Sequence, residues 1–340
     1  MGRRIWSSDW TIKTNFADLR ARRLCAPRAR CCGQKIGCKI RQSPLPAHHK
    51  TTAMRLLNNH VLQGADGRPF LVDVYWDDHP ADRPVVIFAH GFKGFKDWGY
   101  WDLVARAFAH NGFLFVKFNF SHNGTTVEQP LEFADLEAFG RNNYSKELTD
   151  LAAVIGWLEG KPRELEKVAY RPDRIGLIGH SRGGGIGIVA AAEQPHVRAL
   201  ATWASVDGLD FLWRDRPELV ELWRDEGVIY IPNARTGQQM PLYFQLYEDW
   251  EAQRDRFDLP RRLATLDKPV LLVHGTHDTS VPPAAAEKLH EAARRSHLVW
   301  IKNGDHVFGG KHPWPQQSPP FLAAEAIEHT LDFMKEQLML

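Results

Sequence analysis

Cysteine is absent from most of this 340-residue chain. All four cysteines, Cys25, Cys31, Cys32 and Cys38, lie within the first 53 residues. The rest of the chain therefore has no disulfides, and nothing in it indicates an oxidising compartment. The early cysteines lack the paired C-x₂₋₄-C spacing of structural zinc sites, so a zinc site there is an alternative that the spacing does not favour.

Long hydrophobic runs are missing as well. No apolar run approaches the roughly 18 residues that cross a bilayer, and the first 53 residues contain no continuous apolar segment of the kind found in secretory signals. We therefore predict no membrane span and a cytoplasmic location. A composition of 44% hydrophobic and 25% charged residues also excludes collagen-like, coiled-coil and wholly disordered chains.

Positive charge is concentrated in one segment. Residues 1–53 carry 12 Lys and Arg against 2 Asp and Glu, whereas residues 54–340 carry 31 against 39. The basic segment is compatible with an organellar transit peptide or a nucleic-acid-binding arm. We interpret it instead as a disordered leader that need not be native, with Met54 as an alternative start. Because residues 54–340 are acidic, we expect no nucleic-acid partner.

Strand-like and helix-like segments alternate through residues 54–340. Val85–Ala89 is a short continuous apolar run, typical of a strand buried on both faces. Leu148, Leu151 and Ile155 fall at helical spacing and mark one of several helices. Regular alternation of this kind predicts an α/β fold, with a mostly parallel central sheet flanked by helices.

Residues 204–265 interrupt this alternation and are far more than a connection between strands needs. Apolar residues at helical spacing occur in Pro217–Glu226 and again in Tyr243–Trp250. We predict that the segment is a helical cap over the carboxyl edge of the sheet, where open α/β sheets bind ligands. Its Trp213 and Tyr247 suit an apolar or aromatic acyl group, although ordinary packing explains them equally well.

The most specific motif is Gly179-His180-Ser181-Arg182-Gly183, between a predicted strand and a predicted helix rich in glycine and alanine. A G-x-S-x-G in this context is typical of a nucleophile elbow, a strained turn that exposes a serine hydroxyl. The glycines leave room for the strand and the helix to pass closely. A glycine-rich turn without catalysis is the alternative, and we select Ser181 as the nucleophile.

A serine hydroxyl needs a base to take its proton, and the base needs a carboxylate that orients it. Asp278 and His306 each follow one of the last two predicted strands. We select Asp278 as the acid and His306 as the base. Asp207 and Asp210 follow an earlier strand and are alternative acids.

Other chemistries are less well supported. His274, His277 and Asp278 form an H-x₂-H-D sequence, but no further ligand cluster accompanies it. We therefore predict that His274 is a hydrogen-bonded structural histidine and that no metal is bound. The Gly183–Gly187 run lacks the dinucleotide-binding spacing, so we predict no cofactor.

A tetrahedral intermediate needs N–H donors where its oxyanion forms. The backbone N–H of Arg182, directly after the nucleophile, is one expected donor. The other is the N–H of Phe92, in the glycine-rich loop His90–Lys96 that follows Val85–Ala89. We predict that His90 makes a structural hydrogen bond beneath this oxyanion hole.

The His-Gly-Phe loop, the Gly-His-Ser-Arg-Gly elbow and the Gly-Asp-His segment that ends at His306 occur in the order typical of the α/β-hydrolase superfamily. The chain from about Val85 onward resembles that superfamily. Within it, the chain is similar to the dienelactone-hydrolase-like and cinnamoyl-esterase-like group and to the serine aminopeptidase (lysophospholipase-like) hydrolases. The resemblance implies an α/β-hydrolase fold and a Ser-His-Asp triad. Dienelactone hydrolases typically use cysteine where Ser181 stands here, which argues against that activity.

Few features of the sequence indicate the substrate. His122 and Asn123 follow a predicted strand and are candidates for the acyl or alcohol pocket or, equally, for turn residues. Lys93, Lys96 and Arg182 are candidates for attracting a carboxylate-bearing substrate, although exposed lysines usually serve solubility.

These patterns predict a serine hydrolase that cleaves a carboxylic ester through an acyl-enzyme. A serine aminopeptidase-type amide hydrolase is the alternative, and a non-catalytic binding protein of the same fold is the alternative of another class. The expected partner is a small-molecule ester or amide, and the sequence predicts no oligomeric state.

Overall fold

The structure, a computed structural model, describes residues 53–78 and 82–339. The predicted leader therefore lies outside the described residues, apart from Ala53. No helix in the described part is both long and apolar enough to cross a membrane. The strands are β1 (Met54–Gln63), β2 (Pro69–Asp77), β3 (Arg83–Ala89), β4 (Leu114–Phe118), β5 (Tyr170–His180), β6 (Val197–Trp203), β7 (Val228–Pro232), β8 (Gln239–Tyr243), β9 (Val270–Gly275) and β10 (Ser296–Ile301). The α-helices are α1 (Trp101–His110), α2 (Leu136–Gly140), α3 (Tyr144–Glu159), α4 (Arg182–Glu193), α5 (Pro217–Glu226), α6 (Gln245–Ala252), α7 (Arg254–Phe257), α8 (Leu259–Thr265), α9 (Ala284–Ala292) and α10 (Phe321–Leu338).

Eight of the strands form one sheet in the order β1-β2-β4-β3-β5-β6-β9-β10. Every neighbouring pair from β4 to β10 is parallel, whereas β2 is antiparallel to both β1 and β4. The prediction of a mostly parallel sheet is therefore confirmed. Parallel strands end at the same edge of a sheet, so the loops after β3, β5, β6, β9 and β10 share one carboxyl edge.

Helices cover both faces of this sheet. Val85, Ile87 and Ala89 of β3 pack into the core that includes α3 and α4, whereas Val86 and Phe88 pack into the core that includes α1 and α10. Successive side chains on a strand point to opposite faces. Burial on both faces therefore explains why this run of sequence is apolar without alternation.

The connection between β6 and β9 is longer than the others and contains α5 to α8. Helix α5 coincides with the first stretch of helical spacing, and α6 with most of the second. Between them lies the antiparallel hairpin of β7 and β8, which the expectation of a purely helical segment missed. Val228–Pro232 contains β-branched and aromatic residues that favour a strand, and Gly237 takes a positive φ of 72° between the two strands. That residues 204–265 cap the site stays a proposal.

Candidate active site

Ser181 lies in the sharp turn between β5 and α4. Its backbone has φ 56° and ψ −121°, a conformation that residues other than glycine rarely adopt and that costs about 1–3 kcal/mol. Its N–H donates to the carbonyl oxygen of Trp203 at 2.8 Å, which joins the turn to β6. Helix α4 begins at Arg182, because the Ser181 backbone is not helical.

Two glycines allow neighbouring backbone to reach this turn. A Cβ at Gly183 would lie 2.4 Å from the carbonyl oxygen of Ala89, and a Cβ at Gly91 would lie 2.9 Å from the Cβ of Ser181. Real Cβ atoms do not come this close to other heavy atoms, so a larger residue at either position forces the backbone apart. The loop after β3 is therefore packed directly against Ser181.

Asp278 and His306 come together in the loops after β9 and β10. His306 Nδ1 lies 2.8 Å from Asp278 Oδ2, and the Asp278 side chain is fully buried while that of His306 is 21% exposed. An ionised carboxylate only accepts hydrogen bonds, so Nδ1 carries the proton and Nε2 keeps a free lone pair. This arrangement holds the imidazole in the tautomer that a general base requires.

Hydrogen bonds keep Asp278 ionised. Its Oδ1 accepts from the backbone N–H groups of Ser280 at 2.8 Å and Val281 at 2.9 Å. Burial raises the pKa of Asp278, but the hydrogen bonds from His274 and His306 outweigh it and hold that pKa well below its ordinary value. The carboxylate is therefore charged at neutral pH, ready to stabilise a protonated imidazole.

The two alternative acids have other partners. Arg214 lies 3.0 Å from Asp207 Oδ1 and 2.7 Å from Asp210 Oδ1, and Lys288 lies 2.8 Å from Asp207 Oδ2. These cations engage both carboxylates, whereas Asp278 is bonded to His306. The geometry therefore favours Asp278 among the three candidates.

Hydrogen bonds also occupy the histidines of the H-x₂-H-D sequence. His274 Nε2 donates to the carbonyl oxygen of Val281 at 3.0 Å and lies 3.3 Å from Asp278 Oδ2. His277 Nδ1 lies 3.0 Å from the hydroxyl of Thr276. Among residues 53–78 and 82–339, no group of three or more His, Cys, Asp or Glu side chains is arranged to hold a metal ion.

His180 was not selected from the sequence, although it directly precedes Ser181. It is buried, its Nε2 donates to the carbonyl oxygen of His306 at 2.9 Å, and the two rings are 4.9 Å apart. Burial lowers the pKa of His180 to about 3, so its ring is neutral at neutral pH. His180 therefore connects the backbone of His306 to the turn that carries Ser181. Its place inside the G-x-S-x-G motif was the available signal.

The two predicted oxyanion donors belong to the residue after Ser181 and to the loop after β3 that packs against Ser181. Arg182 is the first residue of α4, and a helix leaves the N–H groups of its first turn without partners. Across the described part of the chain, neither this N–H nor that of Phe92 donates to a protein acceptor. Phe92 follows Gly91, which contacts Ser181. Both predicted donors are therefore free, and each belongs to backbone that adjoins Ser181.

His90 fixes the beginning of the loop that carries Phe92. Its Nδ1 donates to the carbonyl oxygen of Gly91 at 2.9 Å, and its Nε2 accepts from the N–H of Phe120 at 3.3 Å. Burial lowers the pKa of His90 to about 4, which keeps the ring neutral. The predicted structural hydrogen bond is therefore present, and it joins the loop after β3 to the loop after β4.

The first pair of pocket candidates is bonded within the protein. Asn123 Nδ2 donates to the carbonyl oxygen of Gly94 at 3.2 Å, and its Oδ1 accepts from the N–H of Thr125 at 3.0 Å. His122 Nδ1 lies 2.8 Å from the hydroxyl of Ser121. Such bonds are typical of turn residues. A pocket role for His122 and Asn123 stays a prediction.

The second pair, Trp213 and Tyr247, belongs to an aromatic cluster of the long connection. The Trp213 ring centroid is 5.7 Å from those of Trp223 and Tyr247 and 5.5 Å from that of Trp250. Trp213 is buried. Packing within the connection accounts for these contacts, and an acyl-binding role for either residue stays a prediction.

Two of the three cations considered for attracting a carboxylate substrate are wrong choices. Lys96 is buried, and its Nζ lies 2.7 Å from carboxylate oxygens of both Asp73 and Asp97. Arg182 is also buried and pairs with the carboxylate of Glu147. Asp97 is adjacent to Lys96 in the chain, but Asp73 and Glu147 are distant in sequence from the cations they pair with, so local pattern does not reveal those two pairs. A charge neutralised inside the protein attracts substrate poorly.

Most of residues 54–340 resemble known proteins in sequence. A sequence profile of the alpha/beta hydrolase family matches residues 86–325. The 2,6-dihydropseudooxynicotine hydrolase of Paenarthrobacter nicotinovorans is 25% identical over 243 residues, which is 71% of this chain. The match spans 57% of the length of that protein.

Solved structures share the fold at lower identity. Est1E from Butyrivibrio proteoclasticus with bound ferulic acid has 20% identity and a TM-score of 0.59, with 84% of this chain and all of that chain covered. DcsB in complex with its substrate analogue has 16% identity and a TM-score of 0.61, again over 84% of this chain and all of that one. At these identities the likeness concerns the fold alone.

Proposed function

The chain belongs to the alpha/beta hydrolase family, and from this premise we propose that it is a serine hydrolase that cleaves a carboxylic ester through an acyl-enzyme. Ser181 is the nucleophile, His306 the base, and Asp278 the carboxylate that orients the base. The hydrogen bond of 2.8 Å between His306 and Asp278 carries the proposal. It lies at the sheet edge where a strained turn holds Ser181, and both features are what such chemistry requires.

In the acylation step, the Ser181 hydroxyl oxygen attacks the carbonyl carbon of the ester while its proton moves to His306 Nε2. The charge that forms on the carbonyl oxygen accepts hydrogen bonds from the free N–H groups of Phe92 and Arg182. Asp278 stabilises the imidazolium without taking its proton. The intermediate then releases the alcohol, which receives the proton from His306.

Deacylation repeats these roles with water. His306 takes a proton from a water molecule, the resulting hydroxide attacks the acyl carbon, and the same two N–H groups stabilise the second oxyanion. Ser181 leaves with the proton that His306 held. The products are a carboxylic acid and the free enzyme, and no cofactor takes part.

An aromatic cluster around Phe92, one of the two expected oxyanion donors, supports an apolar or aryl acyl group. The ring of Phe92 lies 5.5 Å from that of Phe139 and 6.4 Å from that of Phe211, measured between centroids. Aromatic side chains bind flat apolar groups well because they offer a large apolar area. Aryl esters are therefore the substrates to test first, and the ferulic acid bound to Est1E makes hydroxycinnamoyl esters a natural part of that set.

Contacts from the β7–β8 hairpin support the idea that residues 204–265 cover the site. Lys93 Nζ, next to Phe92, donates to the carbonyl oxygen of Pro232 at 3.3 Å. The guanidinium of Arg235 lies over the rings of Phe95, at 5.4 Å, and Phe133, at 5.5 Å. The hairpin thus contacts the oxyanion loop directly.

A hydrolysis panel with matched variants tests the proposal. The parent protein, Ser181→Ala and Ser205→Ala are compared on p-nitrophenyl esters, thioesters and aminoacyl anilides. Ser205 is an apt control because it is also a buried serine, and its hydroxyl donates to the carbonyl oxygen of Val206. We expect ester turnover in the parent and in Ser205→Ala, with loss on the order of 10⁶ in kcat in Ser181→Ala.

Other results would redirect the assignment. Turnover of aminoacyl anilides with a higher kcat/KM than that of esters would favour the aminopeptidase alternative. Unchanged ester turnover in Ser181→Ala would remove Ser181 from the mechanism. Inclusion of 2,6-dihydropseudooxynicotine, for which the curated relative is named, extends the panel beyond esters and amides.

A further inference from the structure

The residue after the nucleophile carries a buried charge. Arg182 is 4% exposed, and its Nη2 pairs with Oε1 of Glu147 on α3, which is 1% exposed. The same Oε1 accepts a hydrogen bond of 2.8 Å from Asn142 Nδ2. Burial raises the pKa of Glu147, while the Arg182 charge acts against that rise. A charged pair is thus held inside the protein immediately beside Ser181.

Stability does not account for this pair. Glu147 Oε2, Arg182 Nε and Asn142 Oδ1 are all buried, and none has a hydrogen-bond partner within the described residues. A buried polar atom without a partner costs about 1–3 kcal/mol. Apolar side chains of similar volume often replace a buried ion pair with no loss of stability. The Arg182–Glu147 pair therefore adds little net stability by itself.

The guanidinium of Arg182 contacts the residue that supplies the other oxyanion donor. Its Cζ lies 4.5 Å from the ring centroid of Phe92 and 6.0 Å from that of Tyr144. A guanidinium over an aromatic face is attracted by the ring, and more strongly where water is excluded. One side chain thus connects the backbone of Arg182, at the start of α4, to the Phe92 loop after β3.

We propose that Arg182 is a positioning residue of the oxyanion hole, which holds the Phe92 ring with its guanidinium and so fixes the distance between the two N–H donors. Glu147 keeps the guanidinium over the ring. The inference rests on the proposed serine hydrolase function and adds a residue through which that function is tuned. Arg182 acts here through its contact with Phe92, separately from the donor role of its own backbone.

A double-mutant cycle tests this coupling. Arg182→Met removes the guanidinium but keeps a long side chain and the backbone N–H of residue 182. Phe92→Leu removes the ring but keeps the backbone N–H of residue 92. Small displacements of a donor cost rate steeply, so we expect each variant to lose on the order of tenfold in kcat on an aryl ester, with KM little changed. The double variant should lose no more than either single variant, because the same contact is removed in each.

A second readout separates positioning from a merely structural role. An arylboronic acid forms a tetrahedral adduct with an active serine, and its affinity should fall by the same factor as kcat in Arg182→Met. Glu147→Gln keeps the shape and removes the charge. This variant should lose less kcat than Arg182→Met, and the loss should also disappear in the Phe92→Leu background. It keeps the proposal testable if Arg182→Met does not fold.

The matched control is the ion pair of Arg83 and Asp77, which is also buried, with side chains 4% and 3% exposed. Arg83 begins β3, so it lies at the sheet edge opposite Ser181. Arg83→Met should lower thermal stability and leave kcat unchanged.

Three results would overturn the proposal. In the first, the Arg182→Met loss is undiminished in the Phe92→Leu background, so that Arg182 acts without the ring. In the second, KM changes and kcat does not, which indicates a substrate contact. In the third, kcat is unchanged. Failure of the proposed function is a separate outcome, because it requires that Ser181→Ala remain active.

Discussion

The two sides of Ser181 are built differently. On the acid–base side, Asp278 and His306 meet through one side-chain hydrogen bond of 2.8 Å. On the oxyanion side the expected donors are backbone N–H groups, and side chains would act only by holding that backbone, as we propose for Arg182 and Glu147, which are 35 residues apart in sequence. The contribution of the acid–base side to activity should therefore depend on the identity of its side chains. The contribution of the oxyanion side should depend on the position of its backbone.

This difference predicts two kinds of mutational response. A single substitution that removes a group carrying or orienting a proton should abolish nearly all activity. A displaced backbone donor should give graded losses, since a donor that moves weakens its hydrogen bond to the transition state without eliminating it.

The largest effect in this comparison is expected for Asp278→Asn on the acid–base side. The amide cannot hold the imidazole in the correct tautomer or stabilise its charge, so kcat should fall on the order of 10⁴-fold. Steady-state kinetics on an aryl ester measures this. Asp207→Asn is the matched control, since Asp207 pairs with Arg214 and Lys288, and it should keep its activity. A large loss of kcat in Asp207→Asn with little loss in Asp278→Asn would mean that Asp207, and not Asp278, is the acid.

A smaller effect is expected for Gly91→Ala on the oxyanion side. The added Cβ would lie 2.9 Å from the Cβ of Ser181, so the loop that carries Phe92 must shift, and we expect a loss on the order of 10²-fold in kcat. Gly156→Ala is the control, because a Cβ at this position in α3 meets no atom within 4 Å. It should leave kcat unchanged and stabilise the fold by about 0.5–1 kcal/mol. Equal activity in the two variants would contradict the close packing of this loop on Ser181.

The smallest effect is a pH dependence of stability to which both sides contribute. His180 on the acid–base side and His90 on the oxyanion side have folded pKa values of about 3 and about 4, below the ordinary 6.5 of the unfolded chain. As the pH falls below 6.5, the unfolded chain binds protons that the folded chain does not. The free energy of unfolding therefore has its full value above pH 6.5 and decreases below it, by about 2 kcal/mol per histidine at pH 5.

Urea unfolding at pH 7 and pH 5 measures this dependence. The difference in unfolding free energy between the two pH values should be about 2 kcal/mol smaller in His90→Asn than in the parent, because one of the two histidines no longer titrates. An identical difference in both proteins would mean that His90 is not held neutral by burial.

The sequence predicted well what depends on local pattern. The buried run at Val85–Ala89 and the alternation of strands with helices follow from burial on both faces of a parallel sheet, which imposes composition residue by residue. The turn at Ser181 was visible because strain and close packing require glycine at fixed offsets, and Gly183 is one of these. These constraints act between residues that are near in sequence.

What the sequence did not predict depends on contacts between distant residues. The partner of Arg182 lies on α3, and Asp73, one of the two partners of Lys96, lies on β2, so neither of these two ion pairs leaves a spacing that a single sequence reveals. The β7–β8 hairpin was missed because its short strands carry little pattern of their own beside two helices with clear periodicity. The leader, residues 1–53, lies outside the described residues but for Ala53, and its interpretation stays a prediction.

Covalent labelling with a serine-reactive probe shows whether Ser181 is an activated nucleophile. The native protein is incubated with a fluorophosphonate and its mass is measured intact and after digestion, with heat-unfolded protein and Ser181→Ala as controls. We expect one adduct per chain, located on Ser181, and none in either control. An adduct on another residue, or equal labelling of Ser181→Ala, would contradict the assignment of Ser181 as the activated nucleophile.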